Sequence, residues 1–145
     1  MKEEKFDYSK VPYNFGLCAA ADCSRADTCL RRITYDQAPE DESFLVTLNP
    51  KKIKAMADKC EYYCSSEKVR FAKGFVGTTE ALPVCVASTF RYRLIGNWGV
   101  RRYYLKRKGE TLLSPEEQRQ VVALARELGL ERKEYFDGYV ETYRW

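Results

Sequence analysis

Three cysteines within twelve residues constrain the N-terminal part of this chain more than any other feature. Cys18, Cys23 and Cys29 are separated by gaps of four and five residues that hold Asp, Ser and Arg. This spacing does not place the three side chains on one apolar face of a helix or a strand. A loop, however, can curl three thiolates around one metal ion, and a fourth ligand from a distant element completes a tetrahedron. The pattern therefore predicts a loop-type, cysteine-rich N-terminal element.

The fourth ligand of such a site is expected from Cys60, with Cys64 as the alternative. Structural zinc takes four thiolates and would stabilise a segment that has few apolar residues of its own. An iron–sulfur cluster also takes four thiolates, but the second gap is longer than the corresponding gap in plant-type ferredoxins. Zinc is therefore favoured over a cluster. The predicted zinc ligands are Cys18, Cys23, Cys29 and Cys60.

A plainer interpretation is that the cysteines are reduced thiols that pack as small apolar side chains. It fits Cys85, which lies between Val84 and Val86, better than Cys23, which follows Asp22. Reduced thiols are expected in the cytosol. The first residues lack the apolar core of a secretory signal, and no stretch approaches the roughly 18 apolar residues of a membrane helix. We therefore expect a cytoplasmic protein that does not enter a membrane.

The chain contains no histidine. This excludes a Ser-His-Asp triad, a Cys-His dyad and every zinc site that uses imidazole. A reactive cysteine would also lack an imidazole to deprotonate it. An enzyme that uses carboxylates or tyrosine is the alternative, but the sequence identifies no catalytic residue. The sequence favours a protein that is not an enzyme.

Positive charge is concentrated in one stretch. The whole chain has 25 basic and 21 acidic residues, whereas the 29 residues between Glu80 and Glu110 hold seven basic residues and none that is acidic. Tyrosine and tryptophan alternate with these cations. Basic side chains bind phosphates and aromatic rings stack on unpaired bases, and a basic groove also suits an acidic protein segment. The candidate contacts for single-stranded nucleic acid or an acidic partner are Arg91, Arg93, Trp98, Arg101, Arg102, Lys106, Arg107 and Lys108.

A plainer alternative for this stretch is a solvated face whose aromatic side chains point into the core. Residues 84–95 favour a helix over a strand, because apolar side chains recur at helical spacing. A turn is predicted at 96–99. The alternation of cations and aromatic residues then predicts an extended segment over 100–108, which closes at Gly109.

Capping signals define two helices. Asn49 followed by Pro50 predicts a helix over 51–58. Ser114 and Glu117 form a capping box that begins a second helix over 115–128, which Gly129 ends.

Strands are predicted from β-branched residues over 44–48 and 69–73. The last residues, 135–145, fit a strand or a helix. The expected fold is α+β, a single small domain over 1–145 with a capped C-terminal helix on a small antiparallel sheet. Within it, residues 15–64 form the cysteine-rich element and residues 65–145 the basic, aromatic part.

Several short motifs carry a resemblance to a known group of proteins. They are the Cys-x4-Cys-x5-Cys-Leu-Arg run from Cys18, Asn49-Pro50, the Cys-Glu-Tyr-Tyr run from Cys60 followed by the segment 68–74, Leu113-Ser-Pro-Glu-Glu-Gln118, Phe136-Asp-Gly-Tyr139 and Trp145. With these the chain resembles an uncharacterised family of small proteins of unknown function from gut bacteria of the Bacteroides group. The resemblance implies a bacterial, cytoplasmic origin, supplies no activity, and favours Cys60 over Cys64 as a ligand.

These observations predict a non-enzymatic binding or regulatory module with a structural four-cysteine metal site and a basic, aromatic surface. The alternative is a thiol-redox or iron–sulfur protein, in which the same cysteines would carry the function.

Overall fold

A computed structural model describes residues 5–145, which form two compact units. The first unit extends to Lys68 and takes in Tyr143–Trp145, and the second comprises Val69–Thr142. The described residues contain six α-helices and a two-stranded antiparallel sheet, which confirms the predicted α+β class. Every helix within this range is too short or too polar to cross a membrane. The elements are α1 (Leu30–Asp36), α2 (Pro50–Met56), β1 (Lys68–Ala72), α3 (Val76–Ala81), α4 (Val84–Trp98), α5 (Val100–Lys108), α6 (Pro115–Glu127) and β2 (Tyr139–Tyr143).

The first unit is rich in loops, and Arg31 connects several of them. Its Nε donates to the Tyr62 carbonyl and its Nη1 to the Gly16 carbonyl, both at 2.8 Å. The guanidinium carbon also lies 4.4 Å from the centroid of the Phe15 ring. Phe15, Leu17 and Leu30 are buried and form the small apolar core of this unit. One arginine thus links segments that have too few apolar residues to pack by themselves.

The strand predicted over 44–48 is wrong. The structure has only an isolated parallel bridge between Leu17 and Thr47, and the Phe44 side chain is 90 % exposed. Two backbone hydrogen bonds, Leu17 N to the Val46 carbonyl and Leu48 N to the Leu17 carbonyl, make up the pairing. β-Propensity needs a partner strand and a face to bury, and these residues have neither.

Helix α2 begins at the predicted cap but ends two residues before the predicted end at 58. Its Asn49 cap accepts a hydrogen bond from Lys51 N at 3.0 Å, with Pro50 in the first turn. The helix ends at Met56 because Ala57 has φ of +46°, outside the helical region. A short 3₁₀ turn, Ala57–Lys59, then leads to Cys60. Cys60 and Cys64 therefore do not share a helix face.

The second unit has an aromatic core. Phe75, Phe90 and Tyr103 are almost fully buried, and their rings meet edge to face with centroids 5.8–6.1 Å apart. Each such side chain contributes roughly 1.5–3 kcal/mol relative to an exposed one. Helices α4, α5 and α6 all contribute residues to this core.

The turn over 96–99 and the extended segment over 100–108 are both wrong. Helix α4 continues to Trp98, and only Gly99, with φ of +85°, separates it from α5. Tyr103 and Lys106 are the buried residues of α5. They are three positions apart, which is one helical turn and not an alternating pattern. Tyr103 is buried, as the plainer alternative expected of the aromatic side chains, but it points inward from a helix, and Tyr92 in the same stretch is exposed.

The remaining predictions for this unit agree with the structure. Strand β1 includes four of the five residues predicted over 69–73, and the open choice for the last residues resolves to β2. Helix α6 begins at the predicted cap, where Ser114 Oγ accepts from Glu117 N at 3.3 Å. Its apolar face buries Val121, Leu124 and Ala125, and Gly129 follows with φ of +91°.

Candidate functional site

A cavity of about 490 Å³ lies in the first unit and is lined by all four predicted zinc ligands. We call it the thiol cleft. Cys18 and Cys29 are buried, whereas Cys23 and Cys60 are half-buried, and all four are free thiols. Cys64 is not among the lining residues. The fold therefore brings to one cleft four cysteines that are spread over more than forty positions of the sequence.

Hydrogen bonds to backbone carbonyls fix the segments that carry these cysteines. Cys18 N donates to the Arg31 carbonyl at 3.2 Å, and Leu30 N donates to the Cys64 carbonyl at 2.6 Å. Arg25 Nη2 donates to the Cys60 carbonyl at 3.3 Å. Because these bonds join three separate segments, the cleft is a product of the tertiary fold of this unit.

The thiols line the cleft without forming a closed ligand set. No three cysteine or carboxylate side chains between residues 5 and 145 lie close enough together to hold a metal ion. Four free thiols match zinc in number and in chemistry. Coordination would require their Sγ atoms to converge across the cleft.

The Cys64 thiol has a different environment. Its Sγ donates to the Arg144 carbonyl at 3.2 Å. Burial raises the pKa of the Cys64 thiol above its ordinary value, and the nearby Arg31 guanidinium opposes this only in part. A raised pKa disfavours the thiolate that binds metals. The Cys64 thiol therefore favours its protonated form.

Cys85 departs from the apolar role expected of it. It is exposed in the first turn of α4, and the neighbouring Val84 side chain is 93 % exposed. The apolar residues of this helix that pack inward are Phe90 and Leu94. Apolar neighbours in sequence thus did not indicate burial, because on a helix they point in different directions.

Two of the eight candidate contact residues in the basic stretch make side-chain contacts within the second unit. Lys106 is buried, forms an ion pair with Glu117 and lies 5.5 Å from the Trp98 ring centroid. Trp98 is half-buried and donates from Nε1 to Gln120 Oε1 at 3.2 Å. These side chains connect α4 and α5 to α6.

A third candidate, Arg93, forms an ion pair on the surface. Its Nη1 lies 2.8 Å from Glu127 Oε1, and hydrogen bonding to Arg93 lowers the pKa of Glu127. The other five candidates form no ion pair with any described carboxylate. We call these five the basic surface: Arg91, Arg101, Arg102, Arg107 and Lys108.

An aromatic side chain that the sequence did not single out lies beside the basic surface. Tyr92 is 64 % exposed, and the guanidinium carbon of Arg91 lies 5.0 Å from its ring centroid. The helical period of α4 was the sequence signal that could have placed Tyr92 on its exposed side. Tyr92 points away from the side that buries Phe90 and Leu94.

The fold and these two features define a small α+β protein with a thiol cleft in one unit and a basic helical surface in the other. The chain belongs to a family described as a family of unknown function (DUF6078), whose profile matches residues 1–145. No curated protein and no solved structure matches the chain. Membership confirms the predicted resemblance to an uncharacterised family. The bacterial origin and the cysteine motif of that family stay predictions.

Proposed function

We propose that this protein is a non-enzymatic module that binds single-stranded nucleic acid through the basic surface of α4 and α5. The observation that carries the proposal is the set of five cations that no described carboxylate neutralises, next to the exposed ring of Tyr92. Arg101, Arg102 and Lys108 are exposed on α5. Binding of such cations to phosphates is favourable, because counterions are released from the nucleic acid.

Two properties of the surface favour nucleic acid over an acidic protein segment. Four of the five cations are arginines, and the planar guanidinium fork matches the geometry of a phosphate. The exposed Tyr92 ring can also stack on an unpaired base, which a polypeptide does not offer. An acidic protein partner is therefore an outcome that the experiment must distinguish.

We further propose that the four cysteines of the thiol cleft bind one structural zinc ion. The donor set consists of thiols alone, and Cys60 lines the cleft whereas Cys64 does not. Zinc would hold together loops whose apolar core is small. A cytoplasmic location, in which thiols stay reduced, is part of this proposal. An iron–sulfur cluster is the competing cofactor, and its visible absorption would identify it.

The test of nucleic-acid binding is fluorescence anisotropy with a labelled single-stranded RNA of about 20 nucleotides at low and high salt. We expect binding that weakens as salt rises and that the double variant Arg101→Glu/Arg102→Glu abolishes. The matched control is Arg119→Glu/Lys133→Glu, which changes the net charge equally at exposed positions outside the basic surface. This control should retain most of the affinity.

Three results would overturn the proposal. The first is an absence of salt-dependent binding by the wild-type protein at low ionic strength. The second is an equal loss in both double variants, which would indicate a response to net charge alone. The third is binding to polyglutamate in the absence of binding to RNA, which would identify an acidic protein partner instead.

A further inference from the structure

Residues 44–48 have the composition of a strand but pair with only one residue of the described chain. In the parallel bridge between Leu17 and Thr47, Leu17 N donates to the Val46 carbonyl and Leu48 N donates to the Leu17 carbonyl, both at 2.8 Å. Val46 and Leu48 therefore direct these backbone groups towards Leu17. Because the direction of backbone groups alternates along an extended chain, those of Thr47 point to the opposite side.

That opposite side is an open edge. The backbone N–H and C=O groups of Leu45 and Thr47 form no hydrogen bond within residues 5–145. Both residues are exposed. An open edge of this kind can accept a second extended segment, which supplies the missing hydrogen bonds.

The side chains along this edge are apolar and exposed. Phe44 is 90 % exposed and Val46 is 50 % exposed, and both line a groove of about 280 Å³. Two further exposed side chains, Tyr13 and Leu45, line the same groove. Together these four are all the large apolar side chains that are exposed in the described part of the first unit. Apolar side chains beside an open edge are typical of a surface that another segment covers.

Acidic side chains precede the edge. Residues 40–42, Glu-Asp-Glu, are exposed and form no ion pair with a described cation. The nearby Asp36 differs from them, because it already pairs with Arg32 at 2.8 Å. Negative charge without a counter-ion thus lies at one end of residues 44–48.

A basic side chain lies at the other end. Lys51, in the first turn of α2, is exposed and forms no ion pair with a described carboxylate. The carboxylates that follow α2 have partners of their own, since Glu61 pairs with Lys52 and Asp58 accepts from Ser24 Oγ. The free charge therefore changes from negative before residue 44 to positive after residue 49.

We propose that residues 44–48 of two copies of this chain pair in antiparallel directions about a two-fold axis. Leu45 of one copy then lies opposite Thr47 of the other, and each such pair exchanges both backbone hydrogen bonds. Val46 of the two copies meets on the axis, and the second copy supplies the partner that these residues lack within one chain.

The free charges favour a second copy in this direction. Antiparallel pairing places residues 40–42 of each copy beside Lys51 of the other copy, whereas parallel pairing would bring the two acidic segments together. The same complementary contact occurs at both ends of the interface, as two-fold symmetry requires.

Sedimentation equilibrium of the full chain in the presence of a reductant measures this association without intermolecular disulfides. We expect a monomer–dimer equilibrium with a dissociation constant on the order of 10–100 µM, because an interface of one short strand and one groove is small. Val46→Lys places like charges on the axis and should weaken the dimer about tenfold. The control Val140→Lys, at an exposed valine of β2, should leave the association unchanged.

A charge exchange at two exposed positions tests the antiparallel direction. Asp41→Lys and Lys51→Glu should each weaken self-association about tenfold, since each variant brings like charges together at both ends of the interface. An equimolar mixture of the two variants should restore the wild-type affinity. In the mixed dimer, one end pairs the two introduced charges and the other end pairs the two original ones.

Amide hydrogen exchange at low and high protein concentration locates the pairing. The amides of Leu45 and Thr47 should exchange quickly in the monomer and at least about tenfold more slowly in the dimer. The Leu48 amide is bonded to the Leu17 carbonyl within each copy, so its exchange should change little and provides an internal control.

Several results would overturn the proposed dimer. A wild-type chain that stays monomeric up to about 500 µM would leave a segment of another protein as the occupant of the edge. Open-ended association would indicate uncontrolled edge pairing instead of a closed dimer. Equal affinities of the wild type and Val46→Lys, or no recovery in the mixture, would place the interface elsewhere. Residues 44–48 belong to the first unit, so these results do not depend on nucleic-acid binding by the basic surface.

Discussion

The buried ammonium group of Lys106 on α5 forms an ion pair with the carboxylate of Glu117 in the first turn of α6. The Lys106 side chain is only 8 % exposed and that of Glu117 is 28 % exposed. Lys106 also donates to the Leu112 carbonyl at 3.5 Å. The pair thus connects two helices of the second unit, and one cation of the basic stretch is structural.

Removal of Glu117 should destabilise the protein, because it leaves a buried ammonium group without its counter-charge. We expect Glu117→Ala to lower the free energy of unfolding by about 1–3 kcal/mol. The control is Glu116→Ala, in the same turn with its side chain 54 % exposed, which should cost less than about 1 kcal/mol. Urea denaturation measures both variants. Equal losses would mean that the ion pair does not contribute.

The zinc proposal predicts different results for two neighbouring cysteines. Protein purified without chelator should contain about one zinc per chain and show no visible colour. Cys60→Ser should lose the metal and melt at a lower temperature, whereas Cys64→Ser should keep the metal. Elemental analysis and thermal denaturation measure these outcomes. Metal-free wild-type protein with six titratable thiols would contradict the site, and brown protein with iron would indicate a cluster.

The two glycines at positions 109 and 96 should respond to alanine in opposite directions. Gly109 has φ of +85° at the end of α5, and a Cβ there would lie 3.1 Å from Lys73 Cγ. Gly109→Ala should therefore cost about 1–2 kcal/mol. Gly96 lies within α4, and a Cβ there meets none of the described atoms within 4 Å outside its own helix backbone. Gly96→Ala should stabilise by about 0.5–1 kcal/mol. Urea denaturation gives both values, and a stabilising Gly109→Ala would contradict the assigned backbone conformation.

Tyr139 provides a prediction for alkaline pH. Burial and a hydrogen bond from its hydroxyl to Glu134 raise the pKa of Tyr139 to about 12, against the opposing effect of Arg70. In the unfolded chain the group would ionise near pH 10. The folded state therefore binds the proton more tightly, so the contribution of Tyr139 to stability is complete below about pH 10 and is lost as pH rises towards 12.

The carbon-13 NMR signal of the Tyr139 ring should titrate near pH 12. Glu134→Gln should lower the pKa of Tyr139, because it removes the negative charge beside the hydroxyl. The control Glu131→Gln, at an exposed position nearby, should leave the titration unchanged. An unchanged pKa in Glu134→Gln would show that the hydrogen bond makes no contribution.

The sequence predicted correctly the helices that begin with a side-chain cap. Asn49 and Ser114 cap α2 and α6 through side-chain hydrogen bonds that involve only nearby residues, so the sequence alone located both helices. Gly109 likewise correctly marked the end of the segment over 100–108. The same sequence assigned residues 100–108 to an extended segment, because alternating cations and aromatic residues resemble a strand when the buried face is unknown.

The site was predictable in part for the same reason. The cysteine spacing predicted that Cys18, Cys23 and Cys29 lie in one element, and the structure has these three and Cys60 lining one cleft. Their role as metal ligands stays a prediction. Whether Cys60 or Cys64 faces that cleft depended on backbone bonds between distant segments. The positive charge of the stretch around Arg101 was likewise evident from composition. The inward position of Lys106, however, depended on the position of Glu117 on another helix.

The sequence by itself determined the α+β class, the capped helices, the absence of imidazole chemistry and the concentration of positive charge. Each of these properties depends on residue type or on neighbours along the chain. Only the tertiary structure decided that 44–48 is not a strand, that α5 is a helix, and that the buried Nε of Arg107 has no hydrogen-bond partner among residues 5–145. These features depend on which surfaces meet after folding. Burial and pairing between distant segments are properties of packing, and local sequence does not encode them.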